Sequence, residues 1–122
     1  MYDEIFKIPL IIRGPSKWVK SRLSHEFVRL MDLMPTMIDW AGGELPLNLD
    51  AISMMTLLAG DISPIWPDSV YTEHHGEVWG YQTQRMLRTL DWKYVYCPHD
   101  MDELYDLSND PYEMRNLINA KL

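Results

Sequence analysis

The densest group of residues capable of chemistry runs from Glu73 to Glu77, where two histidines stand between acidic side chains. In an extended segment Glu73, His75 and Glu77 point to one face, so three possible metal ligands would lie together, with His74 on the other face. The spacing matches no zinc signature. The sequence leaves two interpretations open, a metal site and ordinary packing of a surface loop, and we expect no metal here.

Cys97 is the single thiol of the chain, and His99 follows two positions later. A Cys–His pair can form a nucleophile, but two residues so placed on a strand share a face without any activating geometry. One cysteine also excludes an internal disulfide or a thiolate zinc cluster. We therefore expect an ordinary, partly buried thiol at the end of a hairpin strand, and no catalytic residue.

Composition excludes several classes of protein. The chain has 122 residues, 47% of them apolar, and a net charge of −7, which fits one globular domain at most. The acidic balance argues against nucleic acid as a partner, and the apolar runs are too short to cross a membrane. No secretory leader opens the sequence, so a cytoplasmic location is expected if Met1 is the true start.

The first half of the chain predicts one strand and two helices. Ile8–Ile12 is apolar and β-branched and ends at a Gly-Pro turn, which predicts a strand at about residues 5–12, buried on both faces. Such a strand needs neighbours that the rest of the chain does not supply. Helices are predicted at about residues 32–41, with Asp32 as N-cap, and at about residues 53–59; glycines follow both.

The second half predicts a small antiparallel sheet after a connector with two prolines at residues 61–69. The pattern of β-branched and aromatic residues favours a hairpin, two further strands and a closing helix. The strands lie at Val70–Glu73, Arg85–Thr89, Trp92–Tyr96 and Glu103–Leu107, and the helix at residues 112–122.

Five blocks of the sequence resemble, in order and spacing, the C-terminal part of type I sulfatases, and most closely those of bacteria. They are Ile8–Pro15, Asp32–Gly42, Ile52–Gly60, Leu87–Tyr94 and Glu103–Leu117. The resemblance implies an α+β fragment of the alkaline-phosphatase-like α/β fold. Residues 1–60 would be the tail end of the α/β domain, with one strand of its large sheet. Residues 61–69 would be a connector and residues 70–122 an antiparallel subdomain with a terminal helix.

The resemblance also implies a chemistry whose reacting groups lie upstream. Sulfatases cleave sulfuric esters with a formylglycine, made from cysteine in a Cys-x-Pro/Ala-x-Arg motif, and with a divalent cation, usually Ca²⁺. Met101 stands where that motif would need arginine after Cys97. We therefore expect no cofactor and no catalytic residue on this chain, the N-terminal catalytic part being absent, and no activity from it alone.

The segment after the first strand of the small sheet often lies near the active-site mouth in sulfatases. His74, His75 and Arg85 are thus candidate substrate-binding residues, the partner being a sulfated small molecule or sugar. A salt bridge to the acidic C-terminal segment is the alternative role for Arg85, and for Arg88.

Two other functions stay open from the sequence. The parent enzyme could be a phosphonate or phosphate monoester hydrolase of the same superfamily, or the chain could be a truncated paralogue that acts as an interaction module. Without upstream sequence, the chain is expected to self-associate or to bind the missing N-terminal part through an exposed apolar face. That face would comprise Leu10, Ile12, Leu33, Met37 and Ile38.

Overall fold

A computed structural model describes residues 1–17, 19–61, 65–76 and 83–120. The chain forms two compact units, one of Met1–Pro9 with Asp68–Leu122 and the other of Leu10–Pro67. The sequence-based division kept residues 1–60 together. The structure instead groups the first nine residues with the C-terminal subdomain.

The C-terminal unit contains a four-stranded antiparallel meander in the order β1-β2-β3-β4. All four predicted strands are present, and the predicted hairpin is the β2–β3 pair, closed by a hydrogen bond from Thr89 N–H to the carbonyl of Trp92 at 2.8 Å. The strands are β1 (Val70–His75), β2 (Thr83–Arg88), β3 (Trp92–Tyr96) and β4 (Glu103–Asp106).

Side chains alternate between the two faces of this sheet. The register places Met86 of β2 opposite Val95 of β3, and both are buried in a cluster with Met1 and Cys97. We call the face that carries this cluster the inner face. The outer face keeps large side chains exposed, among them Tyr71, Leu87 and Tyr94.

The strand predicted at about residues 5–12 is not formed within the fully described range 1–17. The chain instead makes a single helical turn, α1 (Asp3–Phe6), and residues 8–12 adopt neither helix nor strand. A strand is stable only when a neighbour completes its hydrogen-bond ladder, and the described strands pair solely with one another. Ile5, Ile8 and Ile11 remain exposed as a result.

The second unit holds a 3₁₀ turn (Leu30–Asp32), α2 (Leu33–Trp40) and α3 (Met55–Ala59), so both predicted helices are confirmed. Asp32 occupies the predicted N-cap position of α2, but its side chain makes no capping bond to that helix. Its carboxylate instead accepts the N–H of Arg29, the N-cap residue of the 3₁₀ turn, at 2.9 Å. The core of this unit comprises Met54, Leu57 and Trp66, with Ile12, Val28, Leu33, Ile52 and Leu58 packed against them.

The predicted terminal helix is also not formed in the described residues up to 120. The Asn116 side chain accepts the N–H of Leu104 at 3.0 Å, and the N–H of Leu117 donates to the carbonyl of Leu104 at 2.8 Å. Hydrogen bonds to the edge of β4 thus take the place of the backbone hydrogen bonds that this segment would form within a helix. No helix among the described residues is long and apolar enough to cross a bilayer.

Candidate functional site

The adjoining ends of β1 and β2 bring two of the three predicted substrate-binding residues together on the outer face. Glu73 pairs with Arg85 across the strands, and His75 pairs with Thr83. Arg85 donates from Nε to Oε1 of Glu73 at 3.1 Å, and His75 Nε2 lies 3.5 Å from Oε2 of Glu73. Nδ1 of His75 is 3.1 Å from the hydroxyl of Thr83. The imidazole and the guanidinium therefore share one carboxylate.

Glu73 stays ionised at neutral pH. A hydrogen bond from the hydroxyl of Tyr71 is the main cause that lowers the pKa of Glu73. Desolvation opposes it as the next largest effect, and the interactions with Arg85 and His75 lower the pKa further. The same bond raises the pKa of Tyr71. All four side chains are solvent-exposed, so these ion pairs contribute little to stability and can exchange partners. An incoming anion would compete with Glu73 for Arg85.

His74 lies apart from this group because it points to the inner face. Its cross-strand partner is Gln84, whose amide donates to Sγ of Cys97 at 3.4 Å. A shallow pocket of about 60 Å³ opens beside them, lined by Thr83, Gln84, Cys97, His99 and Asp100. That volume holds a few water molecules but is well below the several hundred Å³ of an ordinary ligand pocket. This pocket is too small to enclose a sugar.

Cys97 does not fit the nucleophile of a sulfatase. Burial raises the pKa of the Cys97 thiol, which disfavours the thiolate, and Met101 occupies the position that formylglycine formation reserves for arginine. Among the described residues, no three His, Cys, Asp or Glu side chains lie close enough to hold a metal ion. Glu77, the third member of the suspected ligand group, lies outside the described residues.

Sequence reasoning missed two partners. Glu73 connects His75 and Arg85, which the strand register could have indicated, since directly paired residues on one face interact. Arg85 therefore bonds within the sheet, and it forms no salt bridge to the described part of the C-terminal segment. Arg88 donates to Asp3, 85 positions away, a pairing that no local pattern signals.

Comparisons with known proteins agree with the resemblance. A family described as N-sulphoglucosamine sulphohydrolase, C-terminal, matches residues 1–122. Arylsulfatase K of Xenopus laevis is 37% identical over 127 residues, which cover 96% of this chain and 23% of the relative. Delta 4,5-hexuronate-2-O-sulfatase of Bacteroides thetaiotaomicron is 36% identical over 121 residues, covering 95% and 25%.

Solved structures show the same relationship. A 2-O GAG sulfatase superposes with a TM-score of 0.66 at 33% identity, covering 73% of this chain and 20% of that one. The phosphonate monoester hydrolase of Agrobacterium radiobacter gives a TM-score of 0.61 at 25% identity, covering 70% and 20%.

A four-stranded antiparallel sheet joined to a small helical unit is thus the C-terminal part of a hydrolase fold. The chain belongs to the sulfatase family and corresponds to the C-terminal portion of its members. It spans about a quarter or less of the length of the relatives described above.

Proposed function

We propose that this chain is the scaffold and one substrate-contacting wall of an enzyme that hydrolyses sulfuric esters of sugars. The observation that carries the proposal is the match of all 122 residues to a sulfatase C-terminal family. The relatives include a hexuronate sulfatase, and a 2-O GAG sulfatase is among the similar structures, which supports a sulfated sugar as substrate. The nucleophile and the cation come from upstream sequence.

The contact to substrate is assigned to His75 and Arg85. Both are exposed, both lie on the outer face, and the guanidinium can present two parallel N–H groups to a sulfate. Glu73 holds them in place until an anion arrives. His74 supports the site only indirectly, since it points to the opposite face.

A titration followed by NMR tests this assignment. Glucosamine 6-sulfate should shift the side-chain signals of His75 and Arg85, with a dissociation constant on the order of millimolar because the remaining walls are missing. Arg85→Gln should weaken binding by about five- to tenfold, the value of one charge-assisted contact. Arg13→Gln, which changes an exposed arginine of the other unit, is the matched control. Equal shifts with unsulfated glucosamine would contradict the assignment.

The same protein should release no sulfate from an aryl sulfate above a heat-killed control, because it supplies no nucleophile. Turnover by the purified chain would overturn this part of the proposal.

A phosphonate or phosphate monoester hydrolase is the second candidate, favoured by the structural similarity to the Agrobacterium enzyme. Glucosamine 6-phosphate in place of the sulfate distinguishes the two. A doubly charged phosphate that binds more than about tenfold more tightly than the sulfate would favour this alternative.

A further inference from the structure

Lys93, in the middle of the inner face of β3, has a completely buried side chain. Its ammonium group carries three N–H donors, and each finds an oxygen. The acceptors are the carbonyl of Met1 at 3.2 Å, the carboxylate of Asp3 at 2.5 Å and the carboxylate of Glu113. A buried ammonium is tolerated only with such complete pairing.

The two carboxylates are themselves fully engaged. Arg88 donates to both oxygens of Asp3, from Nε at 3.3 Å and from Nη2 at 3.1 Å. The second oxygen of Glu113 accepts the backbone N–H of Asp3 at 3.2 Å. Two cations and two anions thus form a network in which the four formal charges cancel. Its members come from chain positions as far as 110 residues apart.

Glu113 occupies its place at a conformational cost. Its φ is 55°, in the left-handed region that side chains other than glycine seldom adopt. Tyr112 and Met114 on either side are strongly exposed, while Glu113 is buried. This strained backbone conformation directs the Glu113 side chain toward Lys93.

Residues 1–9, which we call the strap, also contact the sheet without charged groups, since the ring of Tyr2 lies 6.3 Å from that of Tyr105 of β4. Met1 and Phe6 pack against the cluster of Met86, Val95 and Cys97, whereas Ile5 and Ile8 of the strap remain exposed. The ionic network adds to these contacts an attachment of the strap to the sheet that depends on charge.

We propose that Asp3, Lys93 and Glu113 form a charge-held latch that keeps the strap closed over the inner face. Loss of either carboxylate charge opens the strap while β1 to β4 stay paired. This inference concerns the chain itself and does not rest on the proposed function.

The latch is closed at neutral pH and opens in acid. Arg88 from β2, Lys93 from β3, Tyr105 from β4, Asp3 from α1 and Glu113 from the following loop all face it. Burial raises the pKa of Asp3, but bonds from Lys93 and Arg88 outweigh this, so the pKa lies below 3.8. Because the pKa of Asp3 is lowered in the folded state, the latch is fully stabilised at any pH above the ordinary carboxylate pKa. This stabilisation is lost as pH falls through the folded-state pKa of Asp3.

Cys97 reports on the strap because it is the single thiol and is buried in the cluster that Met1 joins. In Asp3→Asn, a maleimide reagent should label Cys97 at least about tenfold faster at neutral pH, since a local opening now precedes reaction. The rate should change little with low urea, because the opening exposes little surface. Glu4→Gln, an exposed acid of the same helical turn, is the control and should label at the wild-type rate.

Two outcomes overturn the latch. One is an unchanged labelling rate in Asp3→Asn, and the other is an acceleration that rises with urea as steeply as global unfolding. Should Asp3→Asn fail to fold, hydrogen exchange on the wild-type protein decides. As pH falls, the amide of Asp3, which donates to a carboxylate oxygen of Glu113, should lose protection before the amides of β3. Simultaneous loss contradicts the proposal.

Discussion

Asp32 shows how one buried carboxylate can organise the smaller unit. Its side chain is almost completely buried and accepts from the backbone of Arg29, from both Nε and Nη2 of Arg29 and from the N–H of Ile52 at 2.9 Å. Burial raises the pKa of Asp32, but these bonds outweigh it and leave the pKa below its ordinary value. The carboxylate therefore joins the 3₁₀ turn to the segment before α3.

Asp32→Asn should lower the free energy of unfolding by roughly 2–4 kcal/mol at neutral pH, since it removes the charge that satisfies a partly buried guanidinium. The lowered pKa means that this stabilisation is present above 3.8 and is lost as pH falls through the folded-state value. Urea unfolding at neutral and acidic pH measures both effects, and the difference between variant and wild type should shrink in acid.

Asp39→Asn is the matched control, because Asp39 lies on α2 but its bond to Ser53 is exposed. Its cost should stay below about 1 kcal/mol. A cost equal to that of Asp32→Asn would mean that burial of the carboxylate does not matter.

At the scale of elements, the ends of the two longer helices depend on glycine. Gly60 follows α3 with φ of 101°, and Gly42 follows α2 with φ of 74°. A Cβ atom at Gly60 would lie 3.2 Å from Cγ of Lys20, whereas one at Gly42 would meet nothing within 4 Å. Both positions thus require a left-handed backbone conformation, but only Gly60 has a neighbouring side chain close to where a Cβ atom would lie.

Gly60→Ala should destabilise the protein by about 1–2 kcal/mol, the cost of a left-handed residue with a side chain. Gly42→Ala should cost a similar amount, because it also places a side chain on a left-handed residue. Its cost should be at most slightly lower than that of Gly60→Ala, since the flexible Lys20 side chain can move away from a Cβ atom at position 60. Thermal unfolding of both variants measures the comparison. A neutral Gly60→Ala would show that α3 can end in another conformation.

The elements whose bonds are local could be predicted from sequence. The alternation in Trp92–Tyr96 and the helical spacing before Gly42 and Gly60 specify structure within a few residues. Residues 5–12 and 112–120 do not form the strand and the helix that their sequence patterns predict, because their structure depends on partners far away in the chain. The first segment has no strand to pair with among the described residues, and in the second Asn116 bonds to the edge of β4.

The candidate site was predictable to the same extent. The alternation of side chains along a strand predicts that His74 and His75 lie on opposite faces. Which of the two faces is exposed to solvent depends on how the sheet packs. The shared carboxylate of Glu73 required the register of β1 against β2. The latch around Lys93 could not be predicted, since its partners lie 20 and 90 positions away.

At the scale of the molecule, the isoleucines of residues 5–11 form an uncovered apolar segment. Ile11 is 93% exposed, and Ile5 and Ile8 are also largely exposed. Leu10 and Met37 of the predicted apolar face are exposed too, while Ile12, Leu33 and Ile38 are partly buried. Such a surface favours association with another polypeptide.

The chain should therefore form dimers or larger species as its concentration rises, and Ile11→Glu should shift it to monomer without loss of stability. Size-exclusion chromatography with light scattering measures the mass. Leu47→Glu is the control, because Leu47 is 91% exposed outside this segment. A wild-type chain that stays monomeric, or equal effects of both variants, would refute a role for residues 5–11.

The division into units also orders events during synthesis. Residues 10–67 form their own unit between the two parts of the other, so that unit can fold as soon as it leaves the ribosome. The strap must wait several seconds longer at roughly 5–20 residues per second, because Glu113 is made well after Pro67. Until then Lys93 has emerged without its second carboxylate.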